Sequence, residues 1–161
     1  MTSKPILYLD IDDVILSFRG IEAALNGGVA ARGASSFLRW AEQHFEIRPL
    51  TLWANETGLF SFDNAVELEQ KTGMARGFWL QLKGLPFEMG QYGGKIHGID
   101  WMEHEQGRPW VWLDDHMDPY DADFLKGRGC VENWIPCNTT REPARLLQVR
   151  EVLCKRFNLE N

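Results

Sequence analysis

Two short apolar runs, each stopped by neighbouring acids, constrain this chain more than any other feature. Ile6-Leu7-Tyr8-Leu9 runs into Asp10, Asp12 and Asp13, and Pro109-Trp110-Val111-Trp112-Leu113 runs into Asp114 and Asp115. Short apolar runs of this kind read as strands buried on both faces, as in a parallel sheet. Leu50-Thr51-Leu52-Trp53-Ala54 reads as another strand, ending at Asn55, and 131–136 as a weaker last one. Helical spacing lies between them. Residues 20–27 read as a short helix stopped at Gly27-Gly28. Residues 34–45 carry Phe37, Leu38, Trp40, Ala41 and Phe45 on one stripe, with Ser35 or Ser36 as N-cap. Residues 63–72 read as a helix between Asp63 and Gly73. Residues 95–105 read as another behind Gly93-Gly94, and 141–157 as the last. Residues 76–90 fit either helix or strand. Strands alternating with helices predict an α/β fold, a three-layer Rossmann-like parallel sheet flanked by helices.

Composition narrows the class. The 161 residues fit a single domain spanning 1–161, and 44% apolar with 25% charged residues is ordinary globular usage. A net charge of −6 argues against an extended nucleic-acid surface. It leaves room for a short phosphorylated end held by a metal and a few local cations. Cys130, Cys137 and Cys154 are odd in number and lack C-x-x-C spacing, so buried reduced thiols are expected rather than zinc ligands or a disulfide framework. The opening residues lead straight into a strand without a signal-type apolar region. No apolar run approaches the ~20 residues of a membrane span. The expectation is a cytoplasmic protein with no membrane partner.

The acids fall where a parallel sheet keeps its ligands, beyond the carboxyl ends of the strands. Asp10 and Asp12 follow the first strand, Asn55 the second, Asp114 and Asp115 the third. Such a rim suits phosphoryl transfer, which needs an in-line nucleophile, a proton donor for the leaving group and cations over the phosphate oxygens. Asp10 can attack phosphorus and form an aspartyl phosphate. Asp12 can exchange a proton with the leaving oxygen. Asp114 and Asp115 offer hard oxygen ligands of the kind Mg²⁺ takes. Lys95 can neutralise both Asp10 and the transferred group, with Lys83 as its rival. The bland readings are solvated turn acids, a surface lysine and a turn asparagine. His97, His104 and His116 show no metal-site spacing and read as structural or solvated. Asp118, Asp121 and Asp123 read as a helix-start cluster, one of which could reach the metal.

These residues resemble a known family. Leu7-Tyr8-Leu9-Asp10-Ile11-Asp12-Asp13-Val14-Ile15-Leu16 is similar to the first motif of the haloacid dehalogenase-like (HAD) phosphatase superfamily, an apolar strand followed by Asp-x-Asp-Gly-(Thr/Val)-(Leu/Val). Val111-Trp112-Leu113-Asp114-Asp115 resembles its fourth motif, and Lys95 stands where the third-motif lysine is expected. Trp53-Ala54-Asn55 resembles the Trp-Ala-Thr of small HAD domains found with RNA-repair enzymes and as stand-alone bacterial proteins. The resemblance spans roughly residues 5–156.

The resemblance implies Asp10 as nucleophile and metal ligand, and Asp12 as general acid/base with its carbonyl on Mg²⁺. It implies Asp114 and Asp115 as metal ligands, directly and through water, and Lys95 as phosphate holder. Asn55 stands where the family supplies Ser or Thr to the phosphate, with Thr51 and Thr57 as neighbouring hydroxyls, and Asp13 replaces the usual Gly. About twenty residues separate Asp13 from the helix at Ala34. That spacing is too short for a large cap domain and resembles the capless branch, whose substrates tend to be large or whose lid is borrowed from a partner. Phe18, Phe60, Phe62, Trp79 and Tyr92 are candidates for the mouth or for the core. The function expected is a Mg²⁺-dependent phosphohydrolase acting on a nucleotide, a nucleic-acid end or another phosphomonoester. The alternatives are a phosphoacceptor signalling domain and a catalytically silent HAD-like binding module.

Overall fold

A computed structural model describes residues 3–86 and 94–160. The chain enters as β1 (Ile6–Leu9) and turns into a hairpin, β2 (Leu16–Ser17) and β3 (Val29–Ala30), with helix α1 (Ile21–Leu25) between its strands. It continues through α2 (Ala34–His44), β4 (Glu46–Pro49), α3 (Phe62–Thr72) and α4 (Arg76–Gln81). A 3₁₀ turn over Lys95–Gly98 leads to α5 (Trp101–Glu105), β5 (Trp110–Asp114) and α6 (Pro119–Gly127). A second 3₁₀ turn, β6 (Trp134–Pro136) and α7 (Arg145–Phe157) complete it.

The fold is mixed α/β, with a parallel sheet in the order β4-β1-β5-β6 flanked by helices. Chain direction explains where a ligand can sit. From β1 the chain moves out to β4, then crosses to the opposite side of β1 for β5. The switch therefore lies between β1 and β5, where loops part and leave a crevice at the carboxyl ends.

Alternation along the strands sends side chains to two cores. Leu7, Leu9, Ile47, Val111, Leu113 and Ile135 join one cluster with Phe37, Leu38, Ala41, Leu146, Val149 and Leu153 from α2 and α7. Ile6, Tyr8, Trp110 and Trp112 join the other, with Ile96, Ile99, Leu125 and the partly buried Trp101 and Phe124. Fully buried leucines such as Leu38 and Leu153 contribute about 2 kcal/mol each.

The second core carries a polar network. Arg48, 8% exposed, donates to Glu46 (2.7 Å), Asp100 (3.2 Å) and Glu103 (2.7 Å), and Arg108 pairs with Glu46 and Glu103. The guanidiniums hold Glu103 down at about 2, through the Arg48 hydrogen bond first. Tyr8 donates its hydroxyl to His104 Nε2 (2.9 Å) and accepts from the Asp100 N–H (2.8 Å). His104 Nδ1 lies 3.1 Å from the Arg108 carbonyl, which can only accept, so Nδ1 carries a proton. Burial lowers the His104 pKa and pushes Tyr8 up to about 12.

Several expected boundaries move. The second strand is Glu46–Pro49, not 50–54, and residues 51–54 turn instead. Its charges sit at sheet level because the network neutralises them, and its proline is tolerated because β4 is an edge strand. The expected helix 95–105 is two pieces, parted at Ile99 and Asp100. Ser61, not Asp63, caps α3 by accepting from the Asn64 N–H (3.1 Å), and Gly33 precedes α2 in a left-handed conformation. Residues 76–81 are helical, while 87–90 and Gly93 lie outside the described residues. None of the three cysteines forms a disulfide, and Cys130 is only half-buried. Among the described residues no helix is long and apolar enough to cross a membrane.

Candidate functional site

Register brings the acids level. Leu9 pairs with Pro49 on one side and Leu113 on the other. The ladder runs one step further, Asp10 N–H to the Leu113 carbonyl (3.0 Å) and Leu50 N–H to the Leu9 carbonyl (2.9 Å). Asp10 and Asp114 thus emerge side by side at the switch point. Beyond Asp10 the chain closes a tight turn in which Ile15 and Leu16 N–H both donate to the Ile11 carbonyl (2.8 and 2.9 Å). Asp13 takes φ +56° in this turn. That left-handed conformation is free for glycine and costs Asp less than most residues. The Asp13 carbonyl accepts from Thr139 N–H and Oγ1, tying the turn to the loop after β6.

Lys95 reaches in from its 3₁₀ turn and bridges Asp10 Oδ2 (2.7 Å) and Asp114 Oδ2 (2.6 Å). Burial pulls its pKa down, but the two carboxylates outweigh burial and hold it above the usual lysine value. Ile11 N–H donates to Asp10 Oδ1 (2.8 Å). Asp114 is wholly buried and receives Trp112 Nε1 (3.0 Å) on Oδ2 and His116 N–H (3.1 Å) on Oδ1. Burial, and then the charge of Asp10, push the Asp114 carboxyl well above the usual range. Asp115 is raised by burial and by Asp10 and Asp13, and Asn138 Nδ2 stands 3.4 Å from its Oδ2.

One oxygen from each of Asp10, Asp114 and Asp115 lies within 4.8 Å of the others. At an effective dielectric near 20, each such pair of charges repels by about 3 to 4 kcal/mol. Lys95 answers only one of the three charges. The residual formal charge of −2 and the all-oxygen donor set fit a hard divalent cation, whose opposite ligands stand about 4 to 5 Å apart.

Asp12 takes another position. Trp53 Nε1 donates to its Oδ1 (2.9 Å), while burial and the charges of Asp10 and Asp13 raise its pKa. It lines the same pocket of about 220 Å³, with Thr51, Leu52, His116, Asp118 and Asp121, but its carboxylate is outside the three-oxygen cluster.

Asn55 is not brought to this pocket. It is exposed, and its Oδ1 accepts from Thr57 N–H (2.9 Å), Thr57 Oγ1 (2.6 Å) and Leu59 N–H (3.1 Å), closing its own turn. Thr51, 1% exposed, stands just past β4 in the place expected for Asn55. Lys83 pairs with Leu59 in an isolated bridge and does not line the pocket. Phe60 and Trp79 belong to the core, Phe18 packs against it and Phe62 lies under Arg76, while Tyr92 lies outside the described residues.

Sequence reasoning missed the roles of two contributors and did not single out a third, Asp121, from Asp118 and Asp123. Trp53 orients Asp12, Trp112 holds Asp114, and Asp121 lies buried beside the Lys95 turn. Trp112 sits within an acid motif and its indole N–H needs an acceptor when buried, so that signal was present, whereas Trp53 reaches an acid 41 residues earlier in the chain. Nothing in the sequence marked Asp121 from its neighbours. No family model matches the chain, and neither a curated protein nor a solved structure shows significant similarity to it.

Proposed function

We propose that the chain is a Mg²⁺-dependent phosphohydrolase of the HAD-like kind, working through an aspartyl phosphate on Asp10. The carrying observation is Lys95 bridged between Asp10 and Asp114, with Asp115 completing an oxygen cluster at the switch point. The strand order and the helices on both faces support a three-layer Rossmann-like sheet, and the 16–30 hairpin is too small to be a cap domain.

In this reading Asp10 attacks phosphorus, its oxygen–phosphorus bond forming as the bond to the leaving oxygen breaks. Lys95 and the Ile11 N–H hold the carboxylate in line. Asp12, held by Trp53, donates the proton that the leaving oxygen needs. Water then attacks the aspartyl phosphate, giving its proton to Asp12 and restoring the Asp10 carboxylate as phosphate departs. Thr51 takes the hydroxyl role expected near Asn55, beside Lys95 on the phosphoryl oxygens. Asp10, Asp114 and Asp115, with the Asp12 carbonyl, would hold Mg²⁺, which supplies positive charge over the transferring group.

Hydrolysis of an aryl phosphate with Mg²⁺, with chelator, and by Asp10→Asn tests the reading. Product that needs Mg²⁺ and disappears in Asp10→Asn is expected. Product equal in all three would sink the assignment, and phosphoprotein that accumulates without release would mark a phosphoacceptor domain instead.

A further inference from the structure

The pocket's charge says which phosphate esters it can accept. Resting on the phosphohydrolase reading, we infer that the site takes a lone phosphate on a neutral or cationic leaving group and discriminates against esters with a second anionic group nearby. Six carboxylates line the pocket, from Asp10, Asp12, Asp114, Asp115, Asp118 and Asp121, and among the described lining residues Lys95 is the one Lys or Arg. Arg19 and Arg141 are exposed and do not line it. A divalent cation and Lys95 together answer half of that formal charge.

Asp121 shows that the surplus is built in. The residue is 1% exposed and lines the pocket beside Lys95. Its Oδ1 is buried with no hydrogen-bond partner. A buried carboxylate oxygen without a donor is costly and stays unanswered until something with a proton or positive charge arrives.

Size sets where the leaving group goes. About 220 Å³ is below the ~300 Å³ floor of sites that enclose whole small ligands. The phosphoryl group fits inside, and the leaving group lies at the mouth across Leu52, 72% exposed, and His116. A carboxylate or second phosphate there meets the field of Asp115 and Asp118, whereas a hydroxyl or an ammonium does not.

Three aliphatic esters of similar leaving ability test this: choline phosphate, glycerol 1-phosphate and 3-phosphoglycerate, with Mg²⁺ in excess. At low ionic strength kcat/KM should be about tenfold or more lower for 3-phosphoglycerate than for glycerol 1-phosphate, with choline phosphate equal or better. The gap should narrow as salt shortens the screening length and shrink in Asp118→Asn. An equal or reversed order, or a gap indifferent to salt, overturns the charge inference while leaving the phosphohydrolase reading standing. No turnover of any ester overturns both.

Discussion

Around Arg48, two guanidiniums face three carboxylates and each acid is paired. Around Asp10, among the described residues, one ammonium faces six carboxylates and one buried carboxylate oxygen has no hydrogen-bond partner. Tyr8 belongs to the first region and Asp10 to the second, two residues apart on one strand end. A paired cluster stabilises the fold it sits in, whereas an unpaired one costs stability and persists where binding or chemistry uses it. The two regions should therefore respond to substitution with opposite signs.

The largest effect belongs to the unpaired side. Asp12→Ala should lower kcat for phosphate-ester hydrolysis by about 10² to 10⁴-fold while far-UV circular dichroism stays unchanged; undiminished turnover would remove Asp12 from the proton-transfer role. On the paired side, Arg48→Met strands Asp100 and leaves Glu46 and Glu103 to Arg108 alone, and should cost about 1 to 3 kcal/mol in urea unfolding. A loss under about 0.5 kcal/mol, the size of an ordinary surface change, would show the network to be ornamental.

Divalent cation should act on the unpaired side alone. Mg²⁺ at a hundred times its dissociation constant should stabilise the protein by about 2.7 kcal/mol, and the gain should vanish in Asp115→Asn but survive in Arg48→Met. Acid separates the regions again. Glu103 falls from 4.5 to about 2 on folding, so the stability it contributes is complete above pH 4.5 and lost as pH drops toward 2. His104, lowered from 6.5, adds a loss that begins below that value. Thermal melts should show this acid limb in the native chain and a flatter one in Arg48→Met. The smallest effect has the opposite sign: without Mg²⁺, Asp115→Asn should raise stability by about 0.5 to 1 kcal/mol, and a loss would mean that the Asp115 charge is already compensated in the metal-free pocket.

What could be read in one dimension followed from local signals. β1 and β5 were legible because short apolar runs end abruptly at acids, and register alone then sets Asp10 beside Asp114. The second strand was misplaced because Leu50-Thr51-Leu52-Trp53-Ala54 is more apolar than Glu46-Ile47-Arg48-Pro49. Its Arg48 is buried only because Asp100 and Glu103, more than fifty residues away, come to meet it. That four-residue shift carried Asn55 out of the pocket and Thr51 in. Asp13 is the reverse case: the resemblance expects Gly there, and φ +56° supplies the reason. Lys95 was legible only as one of two candidate cations, with Lys83 as its rival until the resemblance favoured it, since nothing local ties a lysine after two glycines to a carboxylate 85 residues earlier. The Trp53 and Asp121 contacts are tertiary and had no sequence pattern to announce them.

Lys95 gives the site a property that its acids alone would lack. Because an ammonium tethered to the chain already occupies the space between Asp10 and Asp114, the protein carries its own counter-ion and can fold before any metal arrives. It is thus unlike small domains in which the metal supplies the folding energy and a chelator unfolds them. Any cation that enters does so by exchange, loosening a lysine from carboxylates it already holds. The apparent affinity for metal then measures the difference between two cations competing for the same carboxylates.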